Sequence, residues 1–171
     1  SGTRDQGAER VLFSLGIRHV GEATAKELLS AALKRDVNAG VMSSVLYLQG
    51  QLAAKQKNWL QVETSMEKLS TITNDPNMAA KAKYWLAESL YRQEKYIVAN
   101  GIFQALSETG EGVDESLKPW IRLRLAQCLV HLEQWNKVLK IAKSGTADEA
   151  EFEAVYEFDF LAGRALSALG K

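Results

Sequence analysis

Several stretches of the 171-residue chain carry residue types that do chemistry. The acidic run DEAEFEAVYEFD places six carboxylates between Asp148 and Asp159, the donor type that binds divalent cations. Helical spacing spreads those acids around a surface, and neither a histidine nor a second acidic cluster accompanies them. They read as a solvated helix start, where acids suit the helix dipole. His19 and His131 stand alone, with no Cys or His at ligand spacing, so no zinc or other metal is expected. Cys128 lies in the apolar stretch IRLRLAQCLVHL and reads as a buried small hydrophobe; one cysteine permits no internal disulfide. Gly-rich phosphate loops, nucleophile elbows and a supported Ser-His-Asp order are all missing. The expectation is a chain that is not an enzyme and uses no cofactor. The segment LGIRHVGEATAKELL, residues 15–29, leaves one chemical question open. Its glycines precede a helix and serve either a phosphate-binding turn or an ordinary helix-pair turn.

Charge narrows the partners. Lys and Arg number 21 and Asp and Glu 21, which argues against a broad electrostatic grip on nucleic acid or membrane while leaving room for a local basic patch. There is no run of about 18 apolar residues and no visible signal peptide, so a soluble chain without a membrane partner is expected. Ser1-Gly2 reads as a cloning remnant, which leaves upstream segments and the compartment open.

The elements that would position these residues are helices. Pro76 and Pro119 are the only prolines, and long stretches consist of Ala, Leu, Glu, Lys, Gln and Arg. Ala79, Ala82, Leu86 and Leu90 form one apolar stripe. Ala99, Ile102, Phe103 and Leu106 form another at i, i+3, i+4 and i+7. Period-two alternation is scarce, so the chain reads as all-α.

Aligned on itself, the chain repeats. LYLQGQLAAKQKNWLQVETSMEKL, YWLAESLYRQEKYIVANGIFQAL, IRLRLAQCLVHLEQWNKVLKIAK and FDFLAGRALSALGK bring Gly50, Ala87, Ala126 and Gly163 into register, 37, 39 and 37 residues apart. Trp59, Tyr96 and Trp135 each follow nine residues after the first three, and Val62, Ala99 and Val138 three beyond those. The pattern describes a helix with a small residue where its partner approaches, a polar turn, and an aromatic plugging the end of the pair. The turns are Lys57-Asn58, Glu94-Lys95 and Glu133-Gln134. TITNDPNM, SETGEGVDESLKP and KSGTADEAEF are expected to be loops between pairs. A single pair leaves an apolar face open, so neighbouring pairs must stack.

Over about residues 43–171 these positions resemble the tetratricopeptide repeat (TPR) family, whose unit is about 34 residues. The first-helix tryptophan and terminal proline of the family pattern are mostly absent, and the units run long. The resemblance implies a right-handed superhelix of stacked helix pairs. The last unit stops at Ala168-Leu169-Gly170-Lys171, where a turn to a second helix would begin. TAKELLSAALKRD fits a second helix, with Ala25, Leu29 and Ala32 standing 37 residues before Val62, Met66 and Leu69. Residues 1–171 therefore read as one helical-repeat domain.

The stretch ERVLFSLGIRHVGEATAK, within about residues 9–28, resembles the helix-hairpin-helix of NAD-dependent bacterial DNA ligases. That resemblance implies a glycine turn whose backbone N–H groups meet a DNA phosphate without reading bases. Gly21 and the following amides would hold the phosphate, with Thr24 and Lys26 nearby. A ligase also needs a nucleotidyl-accepting lysine in K-x-D-G, which does not occur here, so ligation is excluded for this chain. As an alternative function, a natural or engineered fusion would combine this hairpin, over residues 9–34, with the repeats and bind duplex backbone weakly and non-specifically.

The main expectation is a protein-interaction scaffold. In TPR-like arrays the first helix of each pair lines an inner groove, and its outward positions contact a protein or peptide. By register these are Tyr47, Gln51, Lys55, Tyr84, Glu88, Tyr91, Arg92, Gln127, His131 and Arg164. Tyrosine and arginine suit such surfaces because they combine contact area with hydrogen bonding. Equally, they could be ordinary surface residues, with Tyr47 and Tyr84 partly buried between units. The Lys and Asn set that clamps a terminal carboxylate in some TPR proteins is not reproduced.

Overall fold

The computed structural model describes residues 39–148 and 151–170. They form seven α-helices: α1 (Ala39–Lys55), α2 (Trp59–Ile72), α3 (Pro76–Arg92), α4 (Tyr96–Thr109), α5 (Lys118–His131), α6 (Trp135–Asp148) and α7 (Val155–Ala168). A 3-10 turn, Glu115–Leu117, precedes α5, and no strand occurs among the described residues. The expected hairpin, including Gly21, Thr24 and Lys26, and the expected second helix over residues 23–35 lie outside the described residues.

Short helices need ends that satisfy their free N–H and C=O groups. Asn58 caps α2 by accepting the Gln61 N–H, and Asp75 caps α3 by accepting the Asn77 N–H, with Pro76 in the first turn where its missing donor costs nothing. The turns within the pairs repeat one geometry. Lys57, Glu94 and Glu133 adopt φ of 57°, 62° and 54°. Each N–H bonds the carbonyl three residues back, and the next residue bonds the carbonyl five back: Asn58 to Ala53, Lys95 to Leu90, Gln134 to Leu129. This is the Schellman closure, which reverses the chain in few residues.

The second helices bury one equivalent stripe each: Val62, Met66 and Leu69 on α2; Ala99, Phe103 and Leu106 on α4; Val138, Ala142 and Gly145 on α6. Burial of one such large side chain contributes about 1.5–3 kcal/mol. Opposite them, Gly50, Ala87 and Ala126 are buried on the first helices. A Cβ on Gly50 would stand 2.0 Å from the Met66 Cε, so the end of the Met66 side chain fills the space left by the missing side chain. Each helix packs on the next in sequence, and α1 also touches α3, α3 touches α5 and α5 touches α7. The resulting core falls into two clusters, one over α1–α3 and one over α3–α7, which meet at Trp85 and Leu86.

Three details differ from the sequence-based reading. Much of KSGTADEAEF is not loop: Lys143 to Asp148 continue α6. Gly145 permits this, because it is buried against α7 where a Cβ would lie 2.6 Å from the Phe158 ring. The flanks of TITNDPNM are helical too, in α2 and α3, leaving Thr73 to Asp75 as the connection. Gly163 shares the register of Gly50 but is exposed, with nothing within 4 Å of its would-be Cβ. Among the described residues, no second helix covers that face of α7.

Candidate functional site

Helical spacing gathers one set of side chains on the side formed by the first helices. Gln51, Ala54 and Lys55 lie one turn apart on α1. Tyr84, Trp85, Glu88 and Arg92 follow one face of α3, and Trp120 and Arg124 do the same on α5. With Trp59 at the start of α2 and Leu117 before α5, they enclose a groove of about 580 Å³. Three of the chain's four tryptophans line it.

Its polar centre is an ion-pair cluster. Glu88 is 4% exposed, so its carboxylate requires partners. Oε1 accepts from Arg92 Nε at 2.8 Å and from Arg124 Nη2 at 3.1 Å, while Oε2 accepts from Arg124 Nε at 2.5 Å. Arg124 reaches across from α5 and is itself mostly buried, with 16% of its side chain exposed. Burial alone would lower its pKa, but the hydrogen bonds and charge of Glu88 outweigh that and hold the guanidinium charged. Its Nη1 donates to Gln127 Oε1 at 2.6 Å. Arg92 is more open, and its guanidinium carbon lies 5.5 Å from the Trp59 ring centroid. Two guanidiniums therefore share one carboxylate, leaving a net positive charge in an aromatic groove.

Tyr84 is wall rather than contact surface. It is 9% exposed, and its ring meets Trp85 and Phe103 edge-on at 5.8 and 5.9 Å. Burial, helped by the Glu88 carboxylate, pushes its phenol up to about 12.

Of the residues expected to face a ligand, Gln51, Lys55, Tyr84, Glu88 and Arg92 line this groove. Glu88 turns inward, with both carboxylate oxygens occupied. Tyr47 is half-buried against the α1–α3 core. Tyr91 and His131 belong to a separate ring cluster: His131 stacks on Tyr96 at 3.9 Å and 4°, and Tyr91 meets both edge-on. Gln127 is half-buried beneath Arg124, and Arg164 is exposed with its guanidinium 6.0 Å from the Phe160 ring centroid.

Trp85, Trp120 and Arg124 were not expected there. Their signal was the same register: Trp85 and Arg124 stand 39 residues apart, as Ala87 and Ala126 do, and Trp120 precedes Arg124 by one helical turn. The acidic stretch around Glu151 and Glu153, with Glu115 and Asp148, borders a second hollow containing Trp120 and Phe152. Among the described residues, no group of three His, Cys, Asp or Glu has the arrangement to hold a metal ion. No described helix is long and apolar enough to cross a membrane. Compared with protein-family models, curated proteins and solved structures, the chain matches none.

Proposed function

We propose that this chain is a non-catalytic scaffold, a right-handed TPR-like superhelix that holds a polypeptide segment in the groove of its first helices. The observation that carries this reading is the convergence of Trp59 from α2, Trp85 and Arg92 from α3, and Trp120 from α5 on one open cleft. Packing supports it: successive first helices touch one another, whereas successive second helices make no comparable contact, the arrangement expected of first helices on an inner wall. An inner wall with exposed aromatic surface and a guanidinium is suited to a peptide, since rings supply area at low entropic cost. The repeated Schellman turns and buried stripes at spacings of 37 and 39 residues support a repeat architecture.

Panning a random peptide library on the protein tests the reading. Selected peptides are expected to lose binding to a Trp59→Ala, Trp120→Ala variant that keeps its helical circular dichroism. Peptides that bind the folded variant unchanged, or a library yielding no binder, would overturn it.

A further inference from the structure

Resting on that reading, we propose that the groove is selective for an acidic polypeptide stretch, with an internal Asp or Glu carboxylate set against Arg92 and a neighbouring bulky apolar side chain among Trp59, Trp85 and Trp120. The charge distribution carries the choice. Among the described residues Glu88 is the only carboxylate lining the groove, and its oxygens already accept three hydrogen bonds from Arg92 and Arg124. It offers a ligand neither an acceptor nor a full negative charge. Arg124 is equally committed, since Nε and Nη2 go to Glu88 and Nη1 to Gln127.

Arg92 differs. It uses only Nε for Glu88, its side chain is 44% exposed, and its guanidinium lies near the Trp59 ring. Its two Nη groups remain as a planar fork that matches a carboxylate. A cationic ligand would meet the net positive charge of the Arg92, Glu88 and Arg124 cluster, and a neutral one would leave the fork unsatisfied. One fork, with its partner guanidinium committed, suits the single charge of a carboxylate better than the double charge of a phosphoryl group. The aromatic walls alongside ask for an apolar neighbour in the same ligand.

The test uses acetylated, amidated twelve-residue peptides built from an Asp-Glu-Phe-Leu repeat, an isosteric Asn-Gln-Phe-Leu repeat and a Lys-substituted repeat, titrated by tryptophan fluorescence at low and high salt. The acidic peptide is expected to bind about tenfold more tightly than the neutral one at low salt, and the Lys peptide more weakly still. Arg92→Gln is expected to erase the difference between acidic and neutral peptides. Circular dichroism confirms that the variant folds, with Arg124 still pairing Glu88. Equal binding of acidic and neutral peptides that is lost in Trp120→Ala would overturn the acidic preference and leave the scaffold reading standing. No binding of any peptide, or binding indifferent to both Trp120→Ala and Arg92→Gln, would overturn both. Tight binding that requires a free terminal carboxylate, seen only with non-amidated peptides, would also overturn the internal carboxylate.

Discussion

Glu88 on α3 and Arg124 on α5 are joined by two hydrogen bonds, of 2.5 and 3.1 Å, across 36 residues of sequence and two pairs of helices. Their side chains are 6% and 16% exposed, so the pair ties adjacent first helices together beneath the groove. Removing one partner of a buried pair leaves the other charge uncompensated. Glu88→Gln is therefore expected to destabilise the fold by about 3 kcal/mol, whereas Glu88→Leu combined with Arg124→Leu should recover most of that loss. Urea denaturation of the single and double variants measures it. A single variant as stable as the wild type would deny the pair its structural role.

The left-handed turn residues make a second prediction. Lys57, Glu94 and Glu133 each carry a side chain at positive φ, where glycine has no steric penalty. Replacing each by glycine is expected to stabilise the protein by about 0.5 kcal/mol, nearly additively because the turns share no partner. Glu94→Val, with a branched Cβ, should instead destabilise. Thermal melts of the three single variants and the triple variant decide it.

Three helical glycines should respond to alanine with different signs. At Gly50 the new methyl meets the buried Met66, and at Gly145 it meets the Phe158 ring. Gly145→Ala is expected to cost about 1–3 kcal/mol through overpacking against the rigid ring, and Gly50→Ala less, because the end of the Met66 side chain can move. Gly163 has open space around it, so Gly163→Ala should stabilise its helix by up to about 1 kcal/mol. Comparable denaturation midpoints for all three variants would contradict the packing described.

Alkaline pH should weaken the fold through two buried acids. Burial raises the Cys128 thiol from 9.0 to about 12, and burial with the Glu88 carboxylate raises the Tyr84 phenol from 10.0 to about 12. Both are neutral when protonated, and the unfolded chain loses these protons first. The stability they contribute is fully present below pH 9 and is lost as pH rises toward 12. Denaturation across that range should show a falling midpoint, with a shallower fall in Cys128→Ala. Thiol reagents at pH 8 should label Cys128 only when the protein is unfolded.

Helix content, the three within-pair turns and the second-helix stripes were legible because each rests on local periodicity. An apolar residue every three or four positions identifies a buried face wherever the helix finally packs. The same register led to Gln51, Lys55, Tyr84, Glu88 and Arg92 on one groove. It misread the direction of Glu88, whose side chain turns inward because a guanidinium 36 residues away awaits it. It also missed Trp85, Trp120 and Arg124, since their placement depends on how neighbouring first helices are offset. The helical run Lys143 to Asp148 escaped notice because glycine, serine and threonine favour loops locally, while the Phe158 ring rewards a close helical approach at Gly145.

The amino-acid sequence by itself determined that the described residues form helices and where the turns within the pairs fall, because these depend on neighbours within one or two turns. The tertiary structure alone decided which charges meet and which rings share a cleft. Those relationships join side chains dozens of residues apart, and their energies depend on burial that no single helix creates.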